Sequence, residues 1–161
     1  MVQATMTLLI GLPGSGKTTL AKQLEAERGA LRLTPDEWMS PLFGAGEHQG
    51  RRWVLESELL WSVAARVLTL GIDVILDYGC WSRDERELFR ERSAELGART
   101  EMIVLDLPLD VLWKRLDARN QVAPANTFHI TERELRSWDE LFERPTADEL
   151  AGYTTYAVQQ Q

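Results

Sequence analysis

The apolar residues of this chain fall into two rhythms, short unbroken runs and stretches with helical spacing. Thr5 to Ile10 is an aliphatic and β-branched run that stops at a Gly/Pro-rich turn, which predicts a buried strand. From Lys17 to Arg28 the spacing becomes helical, with Leu20 and Leu24 on one face and Gly29 placed as a C-cap. Ala30 to Thr34 reads as a second strand, followed by a short helix from Asp36 and a Gly-rich stretch over 44–50. A long helix is expected from about Arg52 to Leu70, ending at Gly71. Asp73 to Leu76 is a third strand and leads into Asp77. Ser82 with Glu85 forms a capping box that opens a helix ending at Gly97. Thr100 to Asp106 is the fourth strand, and Pro108 opens a helix running to about Arg119. Asn120 to Ile130 has no periodicity and contains Pro124, so it reads as a loop. Thr131 with Glu134 caps a further helix to about Glu143, and a last short strand is expected at Tyr153 to Val158.

Strands alternating with helices predict an α/β fold, a mostly parallel sheet with helices on both faces. Ligands of such sheets bind beyond the carboxyl ends of the strands, near the switch in strand order. Attention therefore falls on residues 11–18, 34–38, 77–83 and 106–119.

The first of these segments carries the clearest chemistry. Gly11-Leu12-Pro13-Gly14-Ser15-Gly16-Lys17-Thr18 satisfies G-x-x-x-x-G-K-[ST] at every fixed position, between a predicted strand and a predicted helix. The glycines let the backbone turn tightly and aim its N–H groups at phosphate oxygens, and the helix adds the positive end of its dipole. Lys17 is placed to reach the β- and γ-phosphates of a nucleotide, and the Thr18 hydroxyl to ligate magnesium. Leu12, Pro13, Gly14, Ser15, Gly16, Lys17, Thr18 and Thr19 are the expected nucleotide contacts. A glycine-rich turn without a nucleotide is the bland alternative. No N-K-x-D guanine-reading motif and no D-x-x-G switch accompanies the loop, and the acid after the third strand, Asp77, lacks an adjacent glutamate. That combination points away from GTPases and motor ATPases and toward a metabolite-kinase-like protein.

Composition narrows the partners. At 161 residues, with 44% hydrophobic and 27% charged residues, the chain has the size and balance of one globular domain, taken as 1–161. No apolar run approaches the roughly 20 residues that span a bilayer, the N-terminus does not read as a signal peptide, and the one cysteine, Cys80, cannot form an internal disulfide. A cytoplasmic location is expected and a membrane partner is not. The net charge of −7 and the absence of a Lys/Arg-rich run argue against a polyanion as partner. His48, His129 and Cys80 lack zinc-site spacing.

Four segments together resemble a known group. They are the P-loop, Thr34-Pro35-Asp36-Glu37-Trp38, Leu76-Asp77-Tyr78-Gly79-Cys80-Trp81-Ser82-Arg83, and Leu112-Trp113-Lys114-Arg115-Leu116-Asp117-Ala118-Arg119. In them, over nearly its whole length, the chain resembles the small AAA-type ATP-binding proteins within the P-loop kinases, relatives of polynucleotide kinases, zeta-toxin-type kinases and chloramphenicol phosphotransferase. The resemblance implies a P-loop NTPase fold with a five-stranded sheet of order 2-3-1-4-5 and a short lid, about 120–131. It implies that Asp36 takes the proton of the attacking hydroxyl; the alternative is an N-cap of the following helix. It further implies that Arg115 and Arg119, four apart on one helix face, neutralise the triphosphate during transfer; the alternative is a solvated face paired to acids such as Asp117. Pro145 and Thr146 occupy the stretch that in such kinases passes near the adenine. One departure is specific: polynucleotide kinases carry a phosphate-gripping arginine three residues after the aspartate, where this chain has Met39.

Asp77 is expected beside the phosphates, holding magnesium through water or contacting the substrate hydroxyl, against the alternative of an acid that caps a turn. Trp38, Tyr78, Trp81 and Arg83 either line the acceptor pocket or serve packing. Arg51 and Arg52 begin a helix near the pocket mouth, where they either greet an anionic substrate or form a solvated helix end; the second reading is preferred. The expectation is an ATP- and magnesium-dependent phosphotransferase acting on a small-molecule alcohol. The alternatives are a polynucleotide or nucleoside 5′-hydroxyl kinase and a non-catalytic ATP-binding regulatory protein.

Overall fold

A computed structural model describes residues 3–44, 46–47, 49–122 and 129–160. Its centre is a five-stranded parallel sheet in the order β2-β3-β1-β4-β5, formed by β1 (Thr5–Gly11), β2 (Leu31–Leu33), β3 (Val74–Gly79), β4 (Arg99–Leu105) and β5 (Thr155–Gln159). The three inner strands are almost wholly buried, which explains why they read as continuous apolar runs. β5 lies on the edge and is exposed throughout. Strand order reverses at β1, so the turn after β1 opens at the switch point where α/β sheets bind ligands.

Between β1 and β3 the register shifts: Leu8 pairs with Leu76 but Ile10 pairs with Gly79. The extra residue is a bulge beside Asp77, a device that re-aims a side chain at the end of a strand. One face of the sheet packs Leu9, Ile75, Ile103 and Leu105 against Ala21 and Leu24 of α1 (Lys17–Arg28). The other contributes Leu8, Leu76 and Tyr78 to the larger core cluster. Joining them there are Leu60, Ala64 and Leu68 of the chain's middle, Phe89 of α5 (Arg83–Glu95), and Leu112 and Leu116 of α6 (Leu109–Val122).

The segment read as one long helix is a composite. It comprises α3 (Arg51–Val54), a π-helical turn (Leu55–Leu60) and α4 (Trp61–Thr69). A π turn releases backbone carbonyls from the regular ladder, and here side chains satisfy two of them. Tyr78 Oη donates to Glu56 O at 3.0 Å and Arg92 Nη1 to Ser57 O at 2.7 Å. The capping signals read in sequence do form: Ser82 Oγ accepts from Glu85 N, and Thr131 with Glu134 makes a reciprocal box at the start of α7 (Glu132–Leu141).

Two boundaries differ in ways that matter. α2 (Pro35–Phe43) begins at Pro35 rather than Asp36, since proline is preorganised for a first helical position. α6 continues to Val122, so the expected lid of 120–131 begins inside a helix. Residues 123–128 of that lid lie outside the described residues. Its base is clasped twice, by Asn120 Nδ2 donating to Ile130 O (2.6 Å) and Ile130 N donating to Asn120 Oδ1 (3.3 Å). A four-residue helix, α8 (Ala147–Leu150), has no counterpart in the sequence reading. No helix among the described residues is long and apolar enough to cross a membrane.

Candidate functional site

The turn after β1 takes its shape from its glycines. A Cβ on Gly11 would come within 2.7 Å of Ser15 Oγ and 3.0 Å of the Leu105 carbonyl. Gly16, the N-cap of α1, sits at φ 93°, a left-handed conformation that strains other residues. The turn is closed by Ser15 N donating to Leu12 O at 3.2 Å. Among the described residues, the amides of Gly14, Gly16, Lys17 and Thr18 have no protein acceptor, and the buried Ser15 hydroxyl has no partner. Unsatisfied donors at a helix N-terminus form a cradle for phosphate oxygens. Leu12 and Pro13 wall the turn, and Thr19 is exposed on the first turn of α1.

Asp77 stands at the end of β3, 4% exposed. Its Oδ2 accepts from Thr18 Oγ1 at 2.8 Å and from Thr34 Oγ1 at 2.9 Å, while its Oδ1 is buried without a partner. Burial raises its pKa above the ordinary carboxylate range, against the opposing pull of Lys17 and the two hydroxyls. Such an orphaned acceptor, in contact with the hydroxyl of Thr18, is the donor set expected for magnesium. That ion takes few protein ligands and completes its shell with phosphates and water. No cluster of three His, Cys, Asp or Glu side chains that could hold a metal occurs among the described residues.

Lys17 is crowded by charge. Burial lowers its pKa; Asp77 and Asp36 counteract that, whereas Arg52 and Arg119 add to it. These four charged side chains therefore stand around Lys17 at the carboxyl edge of the sheet, near enough to act on its ammonium. Arg115 reaches over the loop, its Nη1 3.4 Å from Gly14 O and 3.8 Å from the place a Gly16 Cβ would occupy. Asp36 lies in the first turn of α2, exposed, and its Oδ1 accepts from Arg52 Nη1 at 2.6 Å. The N-cap of that helix is Thr34, so the capping alternative for Asp36 does not hold in this geometry.

Not every expected residue joins this edge. Successive strand residues point to opposite faces, so Tyr78 cannot accompany Asp77. It is 6% exposed and packs edge-on against Phe89 at 5.2 Å between ring centroids, and thus takes the packing role. Arg83 pairs with Asp148 at 3.2 Å, on the α5–α8 contact. Thr146 caps α8 by accepting from Glu149 N, and with Pro145 it belongs to that corner; the adenine placement finds no support in these contacts. Trp81 does lean on the loop, its Nε1 donating to Gly11 O at 3.3 Å and its ring packed at a tilt of 37° against Trp138, with 5.7 Å between centroids. Trp38 is exposed on α2 two residues beyond Asp36. Cys80 is buried and its thiol pKa is pushed up by burial, which leaves it unreactive.

Thr34 and Glu56 have no role in the sequence reading, and Arg52, read there by preference as a solvated helix end, is instead held between two carboxylates. Thr34 immediately follows β2, within the strand-end window that the fold class already marks. Glu56 was signalled only by its i,i+4 spacing from Arg52, whose Nε it accepts at 3.1 Å.

Solved structures of similar fold cover almost the whole chain. Kti12 of Chaetomium thermophilum, in complex with ADP-AlF3, is 16% identical and superposes with a TM-score of 0.74 over 96% of this chain and 88% of its own. A gluconokinase from Sinorhizobium meliloti (17% identity, TM-score 0.64) matches over 99% and 84%. The APS kinase CysC of Mycobacterium tuberculosis, in complex with AMPPNP and APS, matches over 98% and 90% (21% identity, TM-score 0.62). At these identities the likeness shows the fold, a P-loop kinase-like one. No curated protein gives a significant sequence match. The family model described as AAA domain matches residues 6–145, and with the P-loop, Asp77 and sheet order in place, the chain belongs to that AAA domain family.

Proposed function

We propose that the protein transfers the γ-phosphate of ATP to a hydroxyl of a small molecule. The observation that carries this reading is the convergence of Lys17, Thr18, Asp36, Asp77 and Arg115 from separate elements at the end of β1. In the proposed reaction the acceptor oxygen attacks the γ-phosphorus and the bond to the β–γ bridging oxygen breaks. ADP leaves and the acceptor proton passes to Asp36. Lys17, Arg115 and Arg119 stabilise the charge spreading over the phosphoryl oxygens. Thr18 and Asp77 would hold magnesium, which would supply further neutralisation of the phosphates.

A base serves transfer rather than binding, so an exposed carboxylate facing the P-loop lysine supports an enzyme over a non-catalytic binder. A gluconokinase and an APS kinase among the fold neighbours fit a small acceptor. A polynucleotide acceptor is disfavoured because Met39 is 6% exposed in the core, so that turn of α2 presents no phosphate-gripping charge.

The reading is tested with γ-labelled ATP, magnesium and a panel of small alcohols and 5′-hydroxyl oligonucleotides, comparing the protein with Asp36→Asn. The substitution keeps shape and removes the proton acceptor, so transfer to a small alcohol should fall by about 10²-fold or more while ATP affinity holds. Efficient Asp36-dependent labelling of oligonucleotides would replace the small-molecule acceptor with a nucleic acid. Transfer undiminished in Asp36→Asn would remove Asp36 from the base role.

A further inference from the structure

Arg51 and Arg52 are adjacent but differently employed. Arg51 behaves as a surface residue: it pairs with Glu47 at 3.0 Å and lies 4.3 Å over the Phe43 ring. Arg52 instead bridges two carboxylates, with Nε on Glu56 Oε1 at 3.1 Å and Nη1 on Asp36 Oδ1 at 2.6 Å. A guanidinium has five N–H donors in a planar fork. Among the described residues these two bonds are all that Arg52 makes, and its side chain is 44% exposed. Three N–H donors, both on Nη2 and one on Nη1, remain for a ligand.

The position of Arg52 is also built rather than incidental. Its anchor Glu56 is buried, and it sits on the π-helical turn whose carbonyls are held by Tyr78 and Arg92. Tyr78 is the residue after Asp77, so the strand that presents Asp77 also fixes the helix that presents Arg52. π turns of this kind recur at functional sites because they re-aim a helix face. The local charge agrees. Although the chain carries −7 overall, Arg52 and Arg119 both lie near enough to Lys17 to lower its pKa. The carboxylates facing Arg52 are Asp36 and Glu56, one exposed and one buried, and neither takes Nη2.

We propose that Arg52 is the anion-binding residue of the acceptor site, so that the acceptor is an alcohol carrying a carboxylate or phosphate within a few bonds of its reacting hydroxyl. This rests on the reading of Asp36 as base and specifies what that base acts upon. The oxyanion accepts charge-assisted hydrogen bonds from Nη2, the guanidinium nitrogen that neither carboxylate takes. The Arg52–Asp36 bond then sets the hydroxyl against Asp36, whose Oδ2 is left to accept its proton. Arg52 thereby acts as a specificity residue toward the acceptor and a positioning residue toward Asp36.

The test uses one carbon skeleton in three charge states: glycerate, glycerol 3-phosphate and glycerol. The protein is first saturated with AMP-PNP and magnesium, and each compound is then titrated by calorimetry. At least one of the two anions should bind, and Arg52→Gln should weaken it tenfold or more without changing AMP-PNP affinity, which also reports that the variant is folded. Arg83→Gln, whose ion pair lies on α5 and α8, should leave anion binding as it was. Glycerol should be indifferent to both substitutions. With γ-labelled ATP, the preferred anion identifies carboxylate or phosphate as the natural group. In that assay Arg52→Gln should raise KM for the charged compound by more than it lowers kcat. Failure of both anions to bind, or binding that survives Arg52→Gln, would overturn the proposal while leaving the kinase reading intact. Failure of the unsubstituted protein to bind AMP-PNP would overturn both.

Discussion

At the scale of single residues, the cleft is organised by how charges are buried as much as by which are present. Lys17 is held below its ordinary pKa by burial and by two neighbouring arginines, and the two aspartates restore part of its affinity for the proton. Arg119 is near enough to that lysine to lower its pKa, and in the proposed reaction its charge acts on the phosphoryl group during transfer. Arg119→Ala should therefore depress kcat by more than it raises KM for ATP, with a weaker version in Arg115→Ala. Steady-state kinetics decide this, and equal small effects would place both arginines on a solvated surface. Glu56 gives a separate, structural readout. Burial raises its pKa from 4.5 to about 7, against the pull of Arg52. The folded chain then holds a proton that the unfolded chain releases, so this contribution to stability is complete below about pH 4.5 and is lost as pH rises to about 7. The size is on the order of 3 kcal/mol. Urea midpoints for Glu56→Gln should vary less between pH 5 and 7.5 than those of the unsubstituted protein; identical slopes would contradict the assignment.

At the scale of elements, the most consequential contact is one that periodicity could not announce. Arg86 on α5 is wholly buried and forms a bidentate pair with Glu149 on α8, at 2.6 and 2.8 Å, while its Nη1 donates to Cys80 O at 3.0 Å. It thus pins α8 to the turn that follows Asp77, where Cys80 adopts a positive φ of 37°. Removing one partner leaves a buried charge alone, so Arg86→Ala should cost about 3–5 kcal/mol, or on the order of 10 °C in Tm. Arg86→Met with Glu149→Leu should recover most of it, and thermal melts of the single and double variants test the difference. Much of the rest was legible. Gly11 to Thr18, the capping residues Ser82 and Thr131, and the apolar runs of β1, β3 and β4 each carry a local signal that the fold repeats. What escaped depended on pairing across the chain. The π turn requires Tyr78 and Arg92 to satisfy carbonyls at Glu56 and Ser57, and α8 requires Arg86. Tyr78 is the exception that sequence alone could have resolved, because strand alternation already assigns it to the face opposite Asp77.

At the scale of the molecule, the sheet order places the P-loop at the strand switch, α2 and α3 bring Asp36 and Arg52 to one side of it, and α6 brings Arg115 and Arg119 to the other. A surface with net charge −7 surrounds a cleft edge that gathers cations. Such a contrast fits the proposed small anionic acceptor better than a nucleic-acid strand, which calls for an extended basic track. All of this depends on the loop after β1 holding ATP with magnesium. Calorimetry of ATP·Mg binding to the unsubstituted protein and to Lys17→Ala tests that dependence most directly. The account predicts a single site whose affinity falls at least tenfold when the Lys17 ammonium is removed. ATP affinity unchanged in Lys17→Ala would contradict it.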